Sequence, residues 1–326
     1  MIDQYAQAVP YPAVFSFVTA TSELIGGSNT DFATFRDTGI LGVEMAYLTG
    51  SPIYHTMADA PGNVSARSLH QQGANTLALA RHIGNLDLSQ TNEDSKAVFF
   101  TLGRFLVVRY PASWALPIAL LAGLLLIAAA WRHRGWLRIL RSIGATLATV
   151  LLSLAAAIGL WTLIGGWRST VGIVESYLYL AGFVALTAGI GAAMARLTRR
   201  KIGTGPDAVG VVSVWWGLAL LTAISAPGFS YLFAWPAMAG GLALLWRWPQ
   251  AAKTGWALVC WIVVSVTTLV LLVPAIDVFH QFAQPRPGNL GSQILFMIAL
   301  PVLLVALVVE LLRVFRVRPT KSQSLP

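Results

Sequence analysis

Charge is what this chain has least of. Only 11% of its 326 residues are Asp, Glu, Lys or Arg, against about a quarter in ordinary soluble domains. That shortage excludes a soluble globular protein. Cysteine is nearly absent: Cys260 stands alone inside an apolar run, so an intrachain disulfide is excluded and the redox compartment goes unread. No His-Glu-x-x-His motif occurs, which excludes the helical zinc-protease signature. Met1 to Ala20 has no basic stretch followed by an apolar core, so it is not a signal peptide.

Apolar residues are plentiful: 56% of the chain is hydrophobic and the mean hydropathy is +0.68. They are unevenly placed. Residues 1–110 are ordinary polar sequence, whereas 112–315 consists of apolar runs broken by short basic loops. A spanning helix needs about 20 apolar residues. Seven segments qualify: 112–131, 143–164, 176–195, 208–226, 229–247, 255–275 and 293–314. The fifth is the weakest, being short and interrupted by Pro236.

Loop charge orients these spans. Arg132, Arg134, Arg138 and Arg141 follow the first span, and Arg196, Arg199, Arg200 and Lys201 the third. Arg247 and Lys253 follow the fifth, and Arg313, Arg316, Arg318 and Lys321 the seventh. The alternate loops hold only Arg168 and Arg286. The positive-inside rule then puts the carboxyl tail in the cytoplasm and residues 1–110 on the other side. It also accounts for the net charge of +9 without nucleic acid. Tryptophans 114, 131, 136, 161, 167, 246, 248 and 256 fall near span ends and read as an interfacial belt. No span or leader precedes residue 112, so the expectation is a chain lacking its natural front end. Glu175, Asp277 and Glu310 lie at or near span ends, and Glu310 can pair with Arg313 one turn on. That placement disfavours a transporter. Gly144, Ala148, Gly189, Gly191, Gly240 and Gly241 offer close helix approach.

In the polar portion, a helix is expected over Pro12–Leu24 and a buried strand over Gly42–Leu48, with a turn leaving it at Pro52–His55. Ser65–Ile83 reads as a helix capped at Asn63 or Ser65, with Leu69, Gln72, Thr76, Leu77, Ala80 and Ile83 at helical spacing. His70 and His82 do not share a face of it and read as surface residues. His280 and Asp277 read as a solvated outer loop rather than a metal site.

Several motifs in this portion occur in a specific order. Asn29-Thr30-Asp31-Phe32 leads into Phe35-Arg36-Asp37 and Gly42-Val43-Glu44-Met45-Ala46. Tyr54-His55-Thr56 and Asp59 follow, then Ser68-Leu69-His70-Gln71-Gln72-Gly73-Ala74-Asn75. This series resembles the carboxyl-terminal part of the M28 family of zinc aminopeptidases, in its polytopic vacuolar and endoplasmic-reticulum branch and the bacterial relatives of that branch. Val98-Phe99-Phe100 with Leu102-Gly103-Arg104-Phe105 is similar to that branch's bridge into the membrane.

The resemblance implies an α-helical polytopic membrane domain of about seven spans, preceded by the carboxyl-terminal part of an α/β zinc-exopeptidase domain. It implies a peptidase remnant at 1–90, a juxtamembrane linker at 91–111, the spans at 112–315 and a cytoplasmic tail at 316–326. His55 matches the family's last zinc ligand. Tyr54 matches the tyrosine that polarises the substrate carbonyl, and Asp31 an acid of the pocket's hydrogen-bond network. Asp59 matches a structural loop aspartate.

The implied substrates are peptides and the implied cofactor is zinc, two ions in a complete site. The family's early His-x-Asp and its Glu-Glu pair are not in this sequence. The remaining ligands are therefore expected from an upstream chain, and this chain alone is expected to be incomplete. The other reading is a catalytically inactive membrane scaffold or docking protein that keeps a peptidase remnant. The expected setting is a bacterial inner membrane with residues 1–110 periplasmic; a vacuolar or endoplasmic-reticulum membrane is the alternative.

Overall fold

The structure, a computed structural model, describes residues 1–24, 30–40, 42–47, 57, 59–87, 96–103, 106–165, 173–198, 205–246, 255–282 and 293–315. The chain divides into two compact units, an N-terminal one (Met1–Pro117 with Leu221–Tyr231) and a helical one (Ile118–Leu220 with Leu232–Pro326).

The N-terminal unit begins with α1 (Ile2–Ala8), α2 (Ser16–Leu24) and α3 (Asp31–Asp37). A single 3-10 turn (Pro61–Asn63) then precedes α4 (Ala66–Gly84). α4 starts where its cap predicts: the Ser65 hydroxyl accepts from the Ser68 N–H at 3.4 Å. Its inward face is another matter. Asn75 and Leu79 are buried, while Leu69 and Leu77 are 60% and 52% exposed. The helix carries apolar residues on two sides, and the side holding Leu69, Thr76, Leu77 and Ala80 is the outer one. Leu79 packs with Tyr5 and Val9 of the α1 region, and Val43 and Met45 close over this small core.

Gly42–Tyr47 is not a strand. Val43 and Met45 alternate inward with Glu44 outward, yet no neighbouring strand pairs with this run among the described residues. Periodicity of two describes an extended chain; a sheet requires a partner as well.

α2 begins at Ser16, four residues after Pro12, because the chain before it is used otherwise. Phe15 forms an isolated bridge with Phe100, and Thr101 N–H donates to Val14 C=O at 3.0 Å. The recipient is a hairpin that sequence reading treated as linker: β1 (Ala97–Leu102) pairs antiparallel with β2 (Leu106–Pro111), Ala97 opposite Pro111. Val98 and Phe100 are its buried face, and Phe100 stacks on Tyr231 with ring centroids 4.3 Å apart. Gly228 lies against α2, where the Ser16 hydroxyl donates to its carbonyl at 2.8 Å. A Cβ at Gly228 would sit 2.6 Å from Ser16 C=O, so only glycine fits this approach.

The long helices are α5 (Ala115–His133), α6 (Trp136–Gly165), α7 (Ile173–Leu197), α8 (Gly205–Ser225), α9 (Pro227–Leu245) and α10 (Gly255–Phe282). A π-helical stretch (Gln293–Ala299) then leads into α11 (Leu300–Phe315). Among the described residues, six helices are long and apolar enough to cross a membrane, α5 to α10. The seventh expected span is the π-helical stretch plus α11, whose α-helical part has 16 residues. α9, the least apolar of the six at hydropathy 1.3, is also the most enclosed, with 67% of its span buried. A helix shielded by its neighbours has little need of lipid-matching side chains. Gly135, at φ 104°, makes the tight reversal from α5 to α6 possible.

Glycine contacts within the helical unit confirm some of the expected close approaches and move others. A Cβ at Gly191, Gly240 or Gly241 would meet Glu310, Val212 or Leu125 respectively. Gly144 and Gly189 face nothing within 4 Å. Gly123, under the Trp216 ring, and Gly210, against Ser142 and the Ile139 carbonyl, carry contacts that sequence reading did not assign. Trp114, Trp131, Trp136, Trp246 and Trp256 are exposed, as a belt requires. Trp161 is a correction: it is 2% exposed and packs edge-on against Tyr179 with Phe183 and Val302 beside it.

Glu310 pairs with Arg313 one turn on, as expected, and is wholly buried. α11 packs against α6 and α7, and this brings Glu310, late in its own helix, level with Thr149 inside α6.

Candidate functional site

The motifs of the N-terminal unit converge locally. Asp31 opens α3, where a carboxylate suits the exposed N–H groups of the first turn. It is exposed to solvent. The next residue, Phe32, lays its ring over Gly42, where a Cβ would meet the ring edge. A larger residue at 42 would require the Phe32 ring to move. The extended run that follows is anchored by Val43 and Met45 on the Tyr5, Val9 and Leu79 core. Sequence order thus becomes a small scaffold of α1, α3, 42–47 and α4.

Tyr54 and His55, the two residues on which the chemistry was centred, lie outside the described residues. Asp59 is exposed just before the 3-10 turn. Glu23 and Glu44 are exposed as well, so neither is a buried ligand in waiting.

Around the scaffold, polar side chains act on the backbone. Asn75, 4% exposed, accepts from Tyr11 N–H at 3.1 Å and donates to Tyr11 C=O at 2.8 Å. It does for an isolated loop residue what a second strand would do. His82 Nε2 lies 2.6 Å from Gln4 Oε1, tying α4 to α1, while His70 is exposed beside the Tyr11 ring. The Tyr5 hydroxyl accepts from Ala13 N–H at 3.4 Å. Burial raises the Tyr5 phenol above its usual value, and the Ala13 bond offsets part of that rise.

Among the described residues, no three His, Cys, Asp or Glu side chains come together to hold an ion.

The expected outer loop at Asp277 and His280 is also revised. Both lie in the last turns of α10; His280 and Gln281 are fully buried, and the Tyr177 hydroxyl donates to Asp277 Oδ1 at 2.9 Å. A sequence signal existed: the apolar run continues through Phe279, so helix was the natural continuation.

Comparison with known proteins agrees with the motif order. Residues 1–80 match the model of peptidase family M28. The chain thus carries a partial M28 peptidase domain followed by membrane helices. It is related to endoplasmic reticulum metallopeptidase 1, at 31% identity to the Homo sapiens protein over 120 residues. That stretch is 34% of this chain and 13% of the relative. The Mus musculus protein of the same name is 30% identical over 119 residues, again 34% of this chain and 13% of the relative. A vacuolar membrane protease from Vanderwaltozyma polyspora is 32% identical over 90 residues, 27% of this chain and 10% of the relative. No solved structure matches the chain.

Proposed function

We propose that this chain is the carboxyl-terminal, membrane-anchoring portion of a zinc-dependent metallopeptidase of aminopeptidase type. The observation that carries this is the M28 match over 1–80 directly ahead of six apolar helices. In this reading His55 contributes one metal ligand through a neutral imidazole nitrogen. Its remaining ring nitrogen needs a carboxylate or carbonyl to fix the tautomer. Tyr54, beside it, donates its phenolic proton toward negative charge growing on the substrate carbonyl oxygen. Asp31 belongs to the polar network around them.

One imidazole does not hold zinc by itself, so the other ligands come from an upstream portion or chain. Residues 1–90 form the peptidase remnant, 91–111 the linker, 112–315 the membrane domain and 316–326 the tail. The peptidase portion faces away from the cytoplasm, in a bacterial inner membrane or, alternatively, a vacuolar or endoplasmic-reticulum one. Peptides are the substrates.

A second reading is a catalytically inactive scaffold that retains the remnant. What supports it is that the sequence holds neither the family's His-x-Asp nor its Glu-Glu pair. The two separate in one experiment. The protein is purified from its native membrane with whatever chains accompany it, and its zinc content is measured. Hydrolysis of aminoacyl-naphthylamides is then compared for free and blocked amino groups, in wild type and His55→Ala. The peptidase reading expects zinc, a preference for free amines, and a fall in rate on removing His55 beyond the roughly 10–100-fold that losing an outer-shell partner costs. Unchanged turnover in His55→Ala, or no zinc and no hydrolysis in the native assembly, leaves the scaffold reading.

A further inference from the structure

The helical unit contains an ionised residue type where lipid-facing sequence should have none, and the three helices around it share a register. Trp161 of α6 meets Tyr179 of α7; one turn along, Ala157 packs with Phe183 and with Val302 of α11. Two turns further, a Cβ at Gly191 would lie 3.3 Å from Glu310 Oε1 and 3.7 Å from Thr149. The turn between these two levels is therefore Ser153 of α6, Thr187 of α7 and Ala306 of α11. All three are fully buried. Neither the Ser153 hydroxyl nor the Thr187 hydroxyl has a hydrogen-bond partner among the described residues. Two fully buried hydroxyls at one level of the packing, neither with a protein partner, are what a water site looks like.

This pair lies one turn from the Glu310 carboxyl. Thr149 Oγ1 is 3.4 Å from Glu310 Oε1 but already donates to Ala145 C=O at 2.9 Å. A hydroxyl has one proton. The contact with Glu310 is thus best made with a proton carried by the carboxyl.

Arg313 is the counter-ion, but a loose one. Its Nη1 is 3.5 Å from Glu310 Oε1, longer than charge-assisted bonds usually run, and also donates to Gly191 C=O at 3.2 Å. The pair is asymmetric too: the Glu310 side chain is 0% exposed and that of Arg313 is 16%. A long guanidinium near a helix end can reach the interface and keep its charge in water. A carboxylate left behind in the apolar interior cannot stay charged.

We propose that Glu310 is an intramembrane proton-binding residue that exchanges its Arg313 counter-ion for a proton. As Arg313 turns out to the interface, the carboxylate takes up one proton, and the charge at the site is zero before and after. Water held by Ser153 and Thr187 carries that proton. The ligand is a proton rather than a metal cation, because one carboxyl is too few ligands for a metal ion and no group of three His, Cys, Asp or Glu side chains comes together among the described residues.

Other ionisable groups on the packed helices lie away from this level. Arg138 and Arg141 of α6 and Arg196 of α7 are toward the Arg313 end. Glu175 is in the first turns of α7, and Asp277 and His280 in the last turns of α10, at the far end. The Cys260 thiol is in the first turns of α10, toward the Arg313 end. The inference is independent of the peptidase reading, since none of its residues belongs to the M28 match.

The test is labelling by a water-insoluble carbodiimide, which adds to a protonated carboxyl in an apolar setting, on the full protein in proteoliposomes across pH. The product is mapped by mass spectrometry. Expected is a label on Glu310, falling about tenfold per pH unit on the alkaline side of its midpoint. It should persist to higher pH in Arg313→Ala and be missing from that peptide in Glu310→Gln. A Glu310 that takes no label at any pH, or takes it independently of pH, overturns the proposal and leaves a fixed ion pair clasping three helices. Should Arg313→Ala fail to fold, the wild-type pH series decides alone.

Discussion

In the helical unit the hydroxyls of Thr146, Thr149, Ser213 and Thr268 each donate to the carbonyl four residues back in their own helix, at 2.7 to 2.9 Å. Exceptions run both ways, since Ser142 of α6 donates to Asp207 C=O at 2.7 Å while Thr21 and Thr76 of the N-terminal unit bond within their own helices. In the N-terminal unit, however, side chains also reach across the chain to loop backbone. Asn75 bonds Tyr11 over 64 residues, Thr101 bonds Val14 over 87, and Ser16 bonds Gly228 over 212. The reason lies in what each backbone already has. A long apolar helix satisfies its own peptide groups, so its hydroxyls can bond locally and tertiary fit falls to close packing at glycines. The N-terminal unit is rich in loops whose peptide groups have no ladder, and side chains must complete them.

Removing one of those cross-chain side chains should have the greatest effect. Asn75→Ala strips both partners from the Tyr11 peptide groups, at about 1–3 kcal/mol for each one left buried. We expect a loss on the order of 2–4 kcal/mol in the N-terminal unit. Hydrogen exchange read region by region checks this: protection should fall around residues 5–15 and 66–84 and hold in α5 to α10. Equal loss in both units would break the contrast drawn above.

Glycines offer a matched pair across the two units. Gly228→Ala directs a methyl onto the Ser16 carbonyl at 2.6 Å and Ala20 Cβ at 2.9 Å, neither of which can turn aside. Gly240→Ala meets Cγ2 of Val212 at 2.8 Å, the end of a side chain that can rotate. Overpacking against a fixed neighbour costs about 1–3 kcal/mol. Thermal unfolding should place Gly228→Ala at that cost and Gly240→Ala below it. The reverse order would mean that the bundle is the more rigidly packed region.

Sequence reading did best where one physical rule dominates. Spans follow from the length of an apolar run, and the start of α4 from a serine cap, because both are local. It did worst where burial depends on what lies opposite. Leu69 and Leu77 have helical spacing, but their face of α4 is the outer one, since α1 packs on the side of Asn75 and Leu79. Gly42–Tyr47 alternates like a strand and has no strand beside it among the described residues. The 97–111 hairpin was open to discovery from Val98, Phe100, Val107 and Val108 around Gly103, but its position before the first span made it look like linker. Glu310 was hidden for a geometric reason: position along its own helix says nothing of depth in a neighbour. As for the candidate site, the motifs of the stretch that matches M28 were readable in order, and the packing of Phe32 over Gly42 required coordinates.

The smallest effect concerns pH and tests the core of the N-terminal unit alone. The buried Tyr5 phenol has its pKa raised above the usual 10.0, chiefly by desolvation and despite the Ala13 N–H bond. In the unfolded chain the same phenol ionises near 10.0. Below that pH both states keep the proton and Tyr5 contributes no pH dependence. Above it the unfolded state alone loses the proton, so stability falls as pH rises until the folded phenol also ionises. Tyr5→Phe cannot ionise, and should therefore show a flatter decline of unfolding temperature above about pH 10. It loses the Ala13 bond as well, which is long at 3.4 Å, so its stability at neutral pH should change by no more than about 1 kcal/mol. Identical alkaline profiles for the two proteins would show that Tyr5 is hydrated, and that the core formed by Tyr5, Val9 and Leu79 is open to water where the bundle is not.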